Sequence, residues 1–404
     1  KSYKDADKIN ENIVRAQKEI AYNYHKGNLD EAIALTEKTV KSDPNDLVTR
    51  FILGKLYLEK ENFPAAIKEF EVILKKAPKH METRQKLAEC YEKTQNFRRA
   101  IEEYKFILEK QPENSETMEK MAQAYEVIKE TKSAIRLYKR LQALKGDSYD
   151  LRMKVANLYL SIGDQANAAE ELESAVEMKP DDLETIKLYA DVLFNIKKYD
   201  KAIPVIKGIL EKVEDDIDYI KKLAEIYERE NLFDETLELY ANLIDKDPHN
   251  ENLYKNKIAE IYIKQNNFNE AIQICLNLLE KNPDLDFVKL TLTRAYESAG
   301  QFEEAVETLK LLIQDTIDED DLERYNDYLS VILSNWAVHY FNEGKYQLAF
   351  DKFVLALQYN ENNPDIYFNL AKTNFKIKNY EEAILQFHKA LELSPDDAEI
   401  QLNI

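Results

Sequence analysis

Small, aromatic and polar positions recur along this chain with a period of 34 residues. Within a 34-residue frame, columns 8 and 20 are alanine in most repeats, and column 11 is tyrosine in eight of them. Small residues at fixed places let two helix backbones approach closely, and a large ring fills the space beside them. The period therefore predicts one supersecondary unit that is repeated along the chain. The eleven repeats of this frame begin at Ile13, Leu47, Met81, Ser115, Tyr149, Leu183, Ile217, Asn252, Asp286, Ser330 and Pro364.

Each repeat is predicted to be a hairpin of two helices. Columns 15 to 17 contain polar residues or glycine, as in Glu61-Asn62-Phe63, which marks a short turn. Column 32 is proline in seven repeats, and a proline there ends the second helix before the next repeat begins. These prolines are Pro44, Pro78, Pro112, Pro180, Pro248, Pro283 and Pro395. The predicted fold class is all-α, an α-solenoid of about eleven 34-residue helical hairpins.

At these columns the chain resembles the tetratricopeptide repeat family, whose pattern runs W-x-x-L-G-x-x-Y, then A-x-x-x-F, then P. The resemblance covers nearly the whole chain, and repeat two shows it in Leu53, Gly54, Tyr57, Ala66, Phe70 and Pro78. It implies a right-handed superhelix whose first helices line a concave, partner-binding groove. The pentatricopeptide class has a similar period but binds RNA, and this acidic chain lacks the basic groove that RNA requires.

Three irregularities predict breaks in the array. Pro204 and Gly208 fall inside the second helix of repeat six, so we expect a kink or a change of pitch near residues 204–216. The ten residues Asp320–Leu329 are inserted before repeat ten and predict a longer first helix there. We accordingly expect an array of nine repeats over residues 1–319. Residues 320–404 would then form an extended helix, repeats ten and eleven, and from Ala398 the start of a further helix.

Composition excludes several function classes. Only 7 of 404 residues are glycine, so the chain lacks the glycine-rich loops that bind nucleotides. The formal net charge of −20 argues against nucleic-acid partners, which need clustered lysine and arginine. The uncharged runs are too short for the roughly 20 residues of a membrane-spanning helix, so no membrane insertion is expected within this chain. We expect a cytoplasmic protein or, alternatively, the soluble region of a membrane-anchored one.

No group of residues predicts catalysis. The five histidines lie in different repeats, and none has metal-ligand spacing to another histidine or to a cysteine. Cys90 and Cys275 occupy columns that pack inside a hairpin, which favours buried, inert thiols. The acidic run Asp315–Asp321 lacks the glycine that a calcium-binding EF-type loop requires. The sequence therefore predicts no enzyme, no cofactor and no metal site.

The groove columns of repeats three and four are rich in glutamate, with Lys86 and Lys120 among them. Such a zone favours a basic partner segment by electrostatic complementarity, although a merely solvated helix face would show the same pattern. The glutamates of this acidic zone are Glu82, Glu89, Glu92, Glu116, Glu119 and Glu126. Repeat seven adds Asp218, Glu225 and Glu228.

The groove columns at the two ends of the array are less polar. Repeat two has Val48, Phe51 and Leu58 in these columns. Apolar side chains on a face that should be wet favour a peptide or helix partner, although extra helices or a second copy of the chain would cover them equally well. The C-terminal groove residues are Asn335, Phe341, Phe368, Asn369, Lys372 and Phe375. Asn335 and Asn369 share column 6 and resemble the asparagine ladder with which some members of the family hold a peptide backbone.

The function expected from this pattern is a protein–protein interaction scaffold or adaptor. It would bind an extended or helical segment of another protein in its groove, and the partner segment would be basic if the acidic zone is used. A different class of function is the substrate-recruiting arm of a larger enzyme, such as a glycosyltransferase or peptidase. The same pattern would also suit a membrane-tethered assembly factor or a self-associating structural protein.

Overall fold

The computed structural model describes residues 15–16 and 18–395, and none of these residues lies in a β-strand. Helical residues 15–16 and 18–25 come first, and the α-helices that follow are 13 to 15 residues long except for one of 24 residues. In the first half of the chain they are α1 (Leu29–Ser42), α2 (Leu47–Glu59), α3 (Phe63–Lys76), α4 (Met81–Lys93), α5 (Phe97–Lys110), α6 (Ser115–Val127), α7 (Thr131–Lys145), α8 (Tyr149–Ser161), α9 (Gln165–Met178), α10 (Leu183–Asn195) and α11 (Tyr199–Lys212).

The second half continues the alternation of first and second helices. A short 3₁₀ helix at Pro248–Asn250 precedes α14. The helices are α12 (Ile217–Arg229), α13 (Phe233–Lys246), α14 (Glu251–Lys264), α15 (Phe268–Lys281), α16 (Asp286–Ser298), α17 (Phe302–Asp315), α18 (Glu319–Asn342), α19 (Tyr346–Tyr359), α20 (Pro364–Lys376) and α21 (Tyr380–Leu393). Helices that are consecutive in the sequence pack against each other, which confirms the predicted all-α solenoid of helical hairpins.

The chain divides into two compact units, residues 1–205 and residues 206–404. Helix α11 continues through Pro204, so this proline does not end the helix, and the kink expected near residues 204–216 stays a prediction. The inserted residues Asp320–Leu329 lie within the 24-residue helix α18, whose N-cap Asp318 accepts a hydrogen bond from the backbone of Asp321 at 3.0 Å. The expected boundary at residue 320 also stays a prediction. The further helix expected from Ala398 lies outside the described residues.

The first helix of each hairpin ends in the same left-handed turn. In repeat two, the N–H of Asn62 donates to the carbonyl of Tyr57 at 2.8 Å and the N–H of Glu61 donates to that of Leu58 at 3.0 Å. This pair of bonds is a Schellman motif, in which the residue after the helix takes a positive φ. Column 15 has a positive φ in all eleven repeats of the frame, although it is glycine in only four of them. These residues are Gly27, Glu61, Gln95, Lys129, Gly163, Lys197, Asn231, Asn266, Gly300, Gly344 and Lys378.

Small residues at columns 8 and 20 form the contact between the two helices of a hairpin. Ala88 and Ala100 of repeat three are completely buried, as are their counterparts Ala122 and Ala134 in repeat four. In repeat two, column 8 is Gly54, because a Cβ atom there would collide with the ring of Phe70. The close helix contact that the sequence predicted is therefore present.

A charged pair joins the two helices of several hairpins and was not predicted from the sequence. Column 4 of the first helix and column 23 of the second form the ion pairs Arg50–Glu69, Arg84–Glu103 and Arg152–Glu171 in repeats two, three and five. The side chains of Arg84 and Glu103 are only 14% and 16% exposed. Repeat four has Met118 and Leu137 at the same two columns. In repeats two to five, these two columns are thus either both charged or both apolar.

Candidate partner-binding groove

The predicted acidic zone lies on the first helices of repeats three and four. On α4, Glu82 is exposed, while Glu89 and Glu92 are half-buried. On α6, Glu116 is exposed, while Glu119 and Glu126 are half-buried. The zone is therefore formed mainly by carboxylates that the surrounding residues partly cover.

Lysines of the same unit compensate most of these carboxylates. Glu89 pairs with Lys86 at 2.9 Å, and Glu116 pairs with Lys120 at 3.2 Å. Glu119 pairs with the more distant Lys145 at 3.4 Å. Among the described residues, Glu82 forms no ion pair. The acidic zone therefore offers far less free negative charge than its sequence implies.

The column 12 carboxylates of this zone also contact tyrosines of the hairpin core. Glu126 accepts a hydrogen bond from the hydroxyl of Tyr138, which reaches it from the second helix of the same repeat. Glu228 and Tyr240 form the same pair in repeat seven, at 3.3 Å. In repeat three, the buried hydroxyl of Tyr104 faces Glu92 but forms no hydrogen bond of standard geometry. Each tyrosine at column 24 therefore stands beneath a glutamate at column 12 of its own repeat.

Burial changes the acidity of these groups. It raises the pKa of the Glu92 carboxyl above its usual value, and nearby Lys120 opposes the rise. Burial and the neighbouring Glu126 raise the pKa of the Tyr138 hydroxyl far above its usual value, so this hydroxyl stays protonated and can donate. The Glu126–Tyr138 pair is a structural element of repeat four, because the core tyrosine depends on the glutamate for its hydrogen bond.

An open apolar cavity of about 300 Å³ lies between the first helices of repeats one and two. Its floor contains Ile20 and Leu56, which are buried, and Ile52, which is half-buried. Its rim contains exposed residues: Ala21, Tyr24, His25, Lys55 and Glu59. This volume is at the low end of the roughly 300–1,000 Å³ of small-molecule sites, which suits an inserted side chain better than a cofactor.

Polar and charged side chains surround the opening of this cavity. The neighbouring Glu59 carboxylate raises the pKa of the Tyr24 hydroxyl. Tyr24 is 42% exposed. Val48, which lies on the same face of α2 as Ile52 and Lys55, is 64% exposed. The groove of repeats one and two therefore combines an apolar floor with a ring of polar groups, an arrangement typical of sites that hold a partner's side chain.

The six C-terminal groove residues lie in different environments. Asn335 donates to Glu297 at 2.8 Å, so its amide is already engaged, whereas the side-chain amide of Asn369 forms no hydrogen bond with the residues described. Phe341 is half-buried against Tyr346, while Phe375 is 57% exposed.

Phe368 lies deeper than its column suggested. Only 8% of it is exposed, because its ring packs edge-on against Phe387 with centroids 5.7 Å apart. The amino group of Lys372 lies 4.9 Å from the centre of the same ring. Phe368 is thus a core residue of the last hairpin, and Phe375 is the most accessible aromatic residue of the C-terminal set.

A second groove cavity of about 550 Å³ lies at repeats seven and eight, and its charges are matched. Glu225 pairs with Arg229 at 2.9 Å, and Glu228 pairs with Lys264 at 2.7 Å. Lys257 pairs with Glu260 at 2.7 Å. As in the acidic zone, the charges in this part of the groove are neutralised by ion pairs within the chain.

Reactive chemistry is not apparent in the part of the chain that the structure describes. Within residues 18–395, no three histidine, cysteine or acidic side chains come together as metal ligands. Cys90 and Cys275 are buried, and burial raises the pKa of each thiol to about 12, which keeps them protonated at neutral pH. Among the described helices, none combines the length and the apolar character needed to cross a bilayer.

Comparison with known families agrees with the geometry of the hairpins. Residues 159–226 and 229–287 match one tetratricopeptide repeat model, and residues 364–397 match another. Residues 25–107 match the model of anaphase-promoting complex, cyclosome, subunit 3. The chain belongs to the tetratricopeptide repeat family. Its repeats support the general role of a protein-interaction scaffold.

Solved structures with the same kind of fold were found, although no curated protein matches the chain. A chain of Naa15/Naa10 bound to HypK-THB is 17% identical over 94% of this chain, with a TM-score of 0.42. This tetratricopeptide repeat chain covers 58% of that relative's length.

Two further structures are similar over shorter or looser alignments. A tetratricopeptide repeat protein from Parabacteroides merdae is 19% identical, with a TM-score of 0.41, over 64% of this chain and 97% of its own. The P58(IPK) TPR domain is 14% identical, with a TM-score of 0.26, over 80% of this chain and 98% of its own.

Proposed function

We propose that this chain is an adaptor that binds a peptide or a helical segment of a partner protein in its groove. The observation that carries the proposal is the apolar cavity at repeats one and two, with Ile20, Ile52 and Leu56 on its floor. An exposed apolar recess on a helix face favours an apolar side chain presented by a partner.

The preferred partner segment has an apolar anchor and polar flanks. The floor of the cavity is apolar, so a leucine-like or aromatic side chain would gain the most from burial there. Lys55 and Glu59 lie on the rim with opposite charges, and they can bind polar groups on either side of that anchor. The segment binds as an extended strand or as a helix, since both present side chains at a spacing that reaches one such recess.

The remaining groove residues are proposed as secondary contacts. In the C-terminal unit, Asn369 and the exposed ring of Phe375 are the members of the predicted set with the most freedom to contact a partner. In the acidic zone, Glu82 is the carboxylate that a basic residue of the partner would meet first. These contacts add specificity to an affinity that the anchor supplies.

A peptide-display selection with the intact chain tests this proposal. Peptides that bind the wild-type chain are selected from a random library, and their affinities are then measured for the Ala21→Trp variant. Ala21 lines the cavity and is exposed, so a tryptophan there fills the recess without entering the core. The matched control is Ala34→Trp, because Ala34 is exposed on α1 of the same repeat and does not line the cavity.

The expected result is a loss of at least about tenfold in affinity for Ala21→Trp, since a filled anchor pocket removes a central contact. Affinity for the control is expected to stay within about twofold of wild type. Selected peptides should share an apolar residue with polar neighbours. The proposal is wrong if the selection yields no binders, or if the binders tolerate Ala21→Trp as well as they tolerate Ala34→Trp.

A further inference from the structure

Helix α7, the second helix of repeat four, differs in charge from the rest of this acidic chain. It contains Lys132, Arg136, Lys139, Arg140 and Lys145 and no aspartate or glutamate. Each of the other helices from α1 to α21 has at least one acidic residue. A helix with five cations stands out in a chain whose formal net charge is −20.

Two of the five cations are used inside the protein. Lys139 pairs with the buried carboxylate of Glu171 at 3.2 Å, and Lys145 pairs with Glu119 at 3.4 Å. These pairs connect α7 to the neighbouring helices α9 and α6. These two lysines therefore help to hold α7 against its neighbouring helices. The other three cations of α7 have a different environment.

The other three cations are exposed and have no carboxylate partner among the described residues. Arg136 donates only to the hydroxyl of Ser133 at 3.3 Å, and Arg140 donates to the carbonyl of Pro112 at 2.6 Å. Lys132 has no hydrogen bond in this part of the chain. Their charges are thus available to a ligand.

These cations lie on one face of α7. Residues four apart on a helix share a face and are about 6 Å apart along its axis. Lys129, in the turn before α7, is also exposed and lies three residues before Lys132, next to the exposed N-cap residue Glu130. We call Lys129, Lys132, Arg136 and Arg140 the basic stripe.

Acidic residues border the basic stripe on both sides. The neighbouring repeats have Glu102 and Glu170 at the column of Arg136, and both are exposed. Neither forms an ion pair with the stripe. At the column of Lys132, repeat three has the exposed Arg98, so the positive surface extends onto α5 there, whereas a broad polyanion would meet Glu102 and Glu170 beside Arg136.

We propose that the basic stripe is a second docking surface, separate from the groove, for an acidic segment of a partner protein. Glutamates or aspartates four apart on a helix, or at alternate positions of an extended strand, recur at about 6–7 Å and match the spacing of the cations. Charge complementarity of this kind increases the rate of association and selects the partner. A membrane or a nucleic acid is disfavoured, because either would bring more of an acidic protein surface against a negative one.

Fluorescence anisotropy with the full chain and four labelled probes tests the inference. Two probes are peptides, one with glutamate at every second position and one helical with glutamate at every fourth. The others are vesicles rich in phosphatidylserine and a single-stranded oligonucleotide. The stripe variant is Lys132→Gln/Arg136→Gln, and its matched control is Lys38→Gln/Lys68→Gln, which changes the net charge equally at exposed lysines of other repeats.

At least one acidic peptide is expected to bind the wild-type chain, and more tightly at low than at physiological salt. The stripe variant should bind it about fivefold or more weakly, since each exposed charge pair contributes a few-fold, whereas the control should bind as wild type does. Absence of peptide binding, equal binding by the stripe variant, or tighter binding of vesicles or oligonucleotide than of peptide would each overturn the inference. Circular dichroism of both variants confirms that the helices are intact.

Discussion

The groove of repeats one and two and the groove of repeats three and four have the same hairpin backbone and opposite chemistry. The former has an open recess above Ile20, Ile52 and Leu56. The latter has carboxylates, most of which pair with lysines or with a core tyrosine. In the more highly charged region, most of the charged groups are thus already paired with other side chains of the same chain.

This difference shows that charge counted along a sequence is not charge available to a partner. Glu126 lies in a groove column, yet it accepts a hydrogen bond from Tyr138 and belongs to the hairpin core. An apolar recess, in contrast, has no internal partner that can occupy it. We therefore propose that the acidic zone contributes to stability and that the apolar cavity binds the partner.

The largest expected effect concerns the contribution of the charged pair in repeat three to stability. Arg84→Met should lower the free energy of unfolding by about 3–5 kcal/mol, because it leaves Glu103 buried without its partner. The double variant Arg84→Met/Glu103→Leu copies the Met118 and Leu137 of repeat four and should recover most of that loss. Urea unfolding followed by circular dichroism measures both.

Equal destabilisation by the single and the double variant would contradict this interpretation. It would mean that repeat three needs the charges themselves and not merely a matched pair. Arg84→Lys is a useful addition, because lysine keeps the charge but loses the planar guanidinium geometry.

A smaller effect on stability should distinguish the two core tyrosines that lie beneath the acidic zone, Tyr138 and Tyr104. Tyr138→Phe should cost about 1–2 kcal/mol, because Glu126 loses a hydrogen bond that it accepts from the core. Tyr104→Phe should change stability by less than about 0.5 kcal/mol, since its buried hydroxyl has no hydrogen bond of standard geometry to lose. Local hydrogen exchange in α5 and α7 distinguishes the two, and equal costs would contradict the difference.

Exchanging glycine and glutamine at the left-handed turns of repeats one and three tests whether the two repeats have the same backbone. Gln95 of repeat three and Gly27 of repeat one occupy the same left-handed turn, with φ of 59° and 80°. Gln95→Gly should stabilise the chain by up to about 1 kcal/mol, because the left-handed strain outweighs the entropy of the added glycine. Gly27→Gln should destabilise it by a similar amount. Thermal unfolding gives both values, and changes of the same sign would show that the two turns differ.

The smallest expected effect concerns the acidic zone and partner binding. The triple variant Glu82→Lys/Glu89→Lys/Glu116→Lys should change the affinity for a peptide selected on the cavity by less than about threefold, because that zone lies on other repeats and most of it is internally paired. Isothermal titration calorimetry measures the change. A loss as large as that of Ala21→Trp would instead make the acidic zone part of the binding site.

The fold was predictable from the sequence because its period places small residues, tyrosines and prolines at fixed columns. The helical hairpins, the buried Ala88 and Ala100, and the burial of Cys90 all follow from that frame. The paired columns were missed because each column was considered alone. The Arg84–Glu103 and Glu126–Tyr138 pairs become visible only when two columns of one repeat are compared, and the geometry shows which two to compare.

The candidate site was less predictable. A cavity depends on how the side chains of two neighbouring helices fill the space between them, and column identity alone does not give that volume. Ala21 is small at a column where the next repeats have Lys55 and Glu89, and this difference opens the recess. Phe368 was expected at the surface, yet its contact with Phe387 buries it.

Hydrogen exchange of the full chain, with and without a selected peptide, tests the central claim most directly. Binding in the apolar cavity predicts slower exchange in residues 18–25 and in α2, which line it, with no change in α4 and α6. Slower exchange in α4 and α6, with residues 18–25 and α2 unaffected, would contradict that claim and return the binding site to the acidic zone.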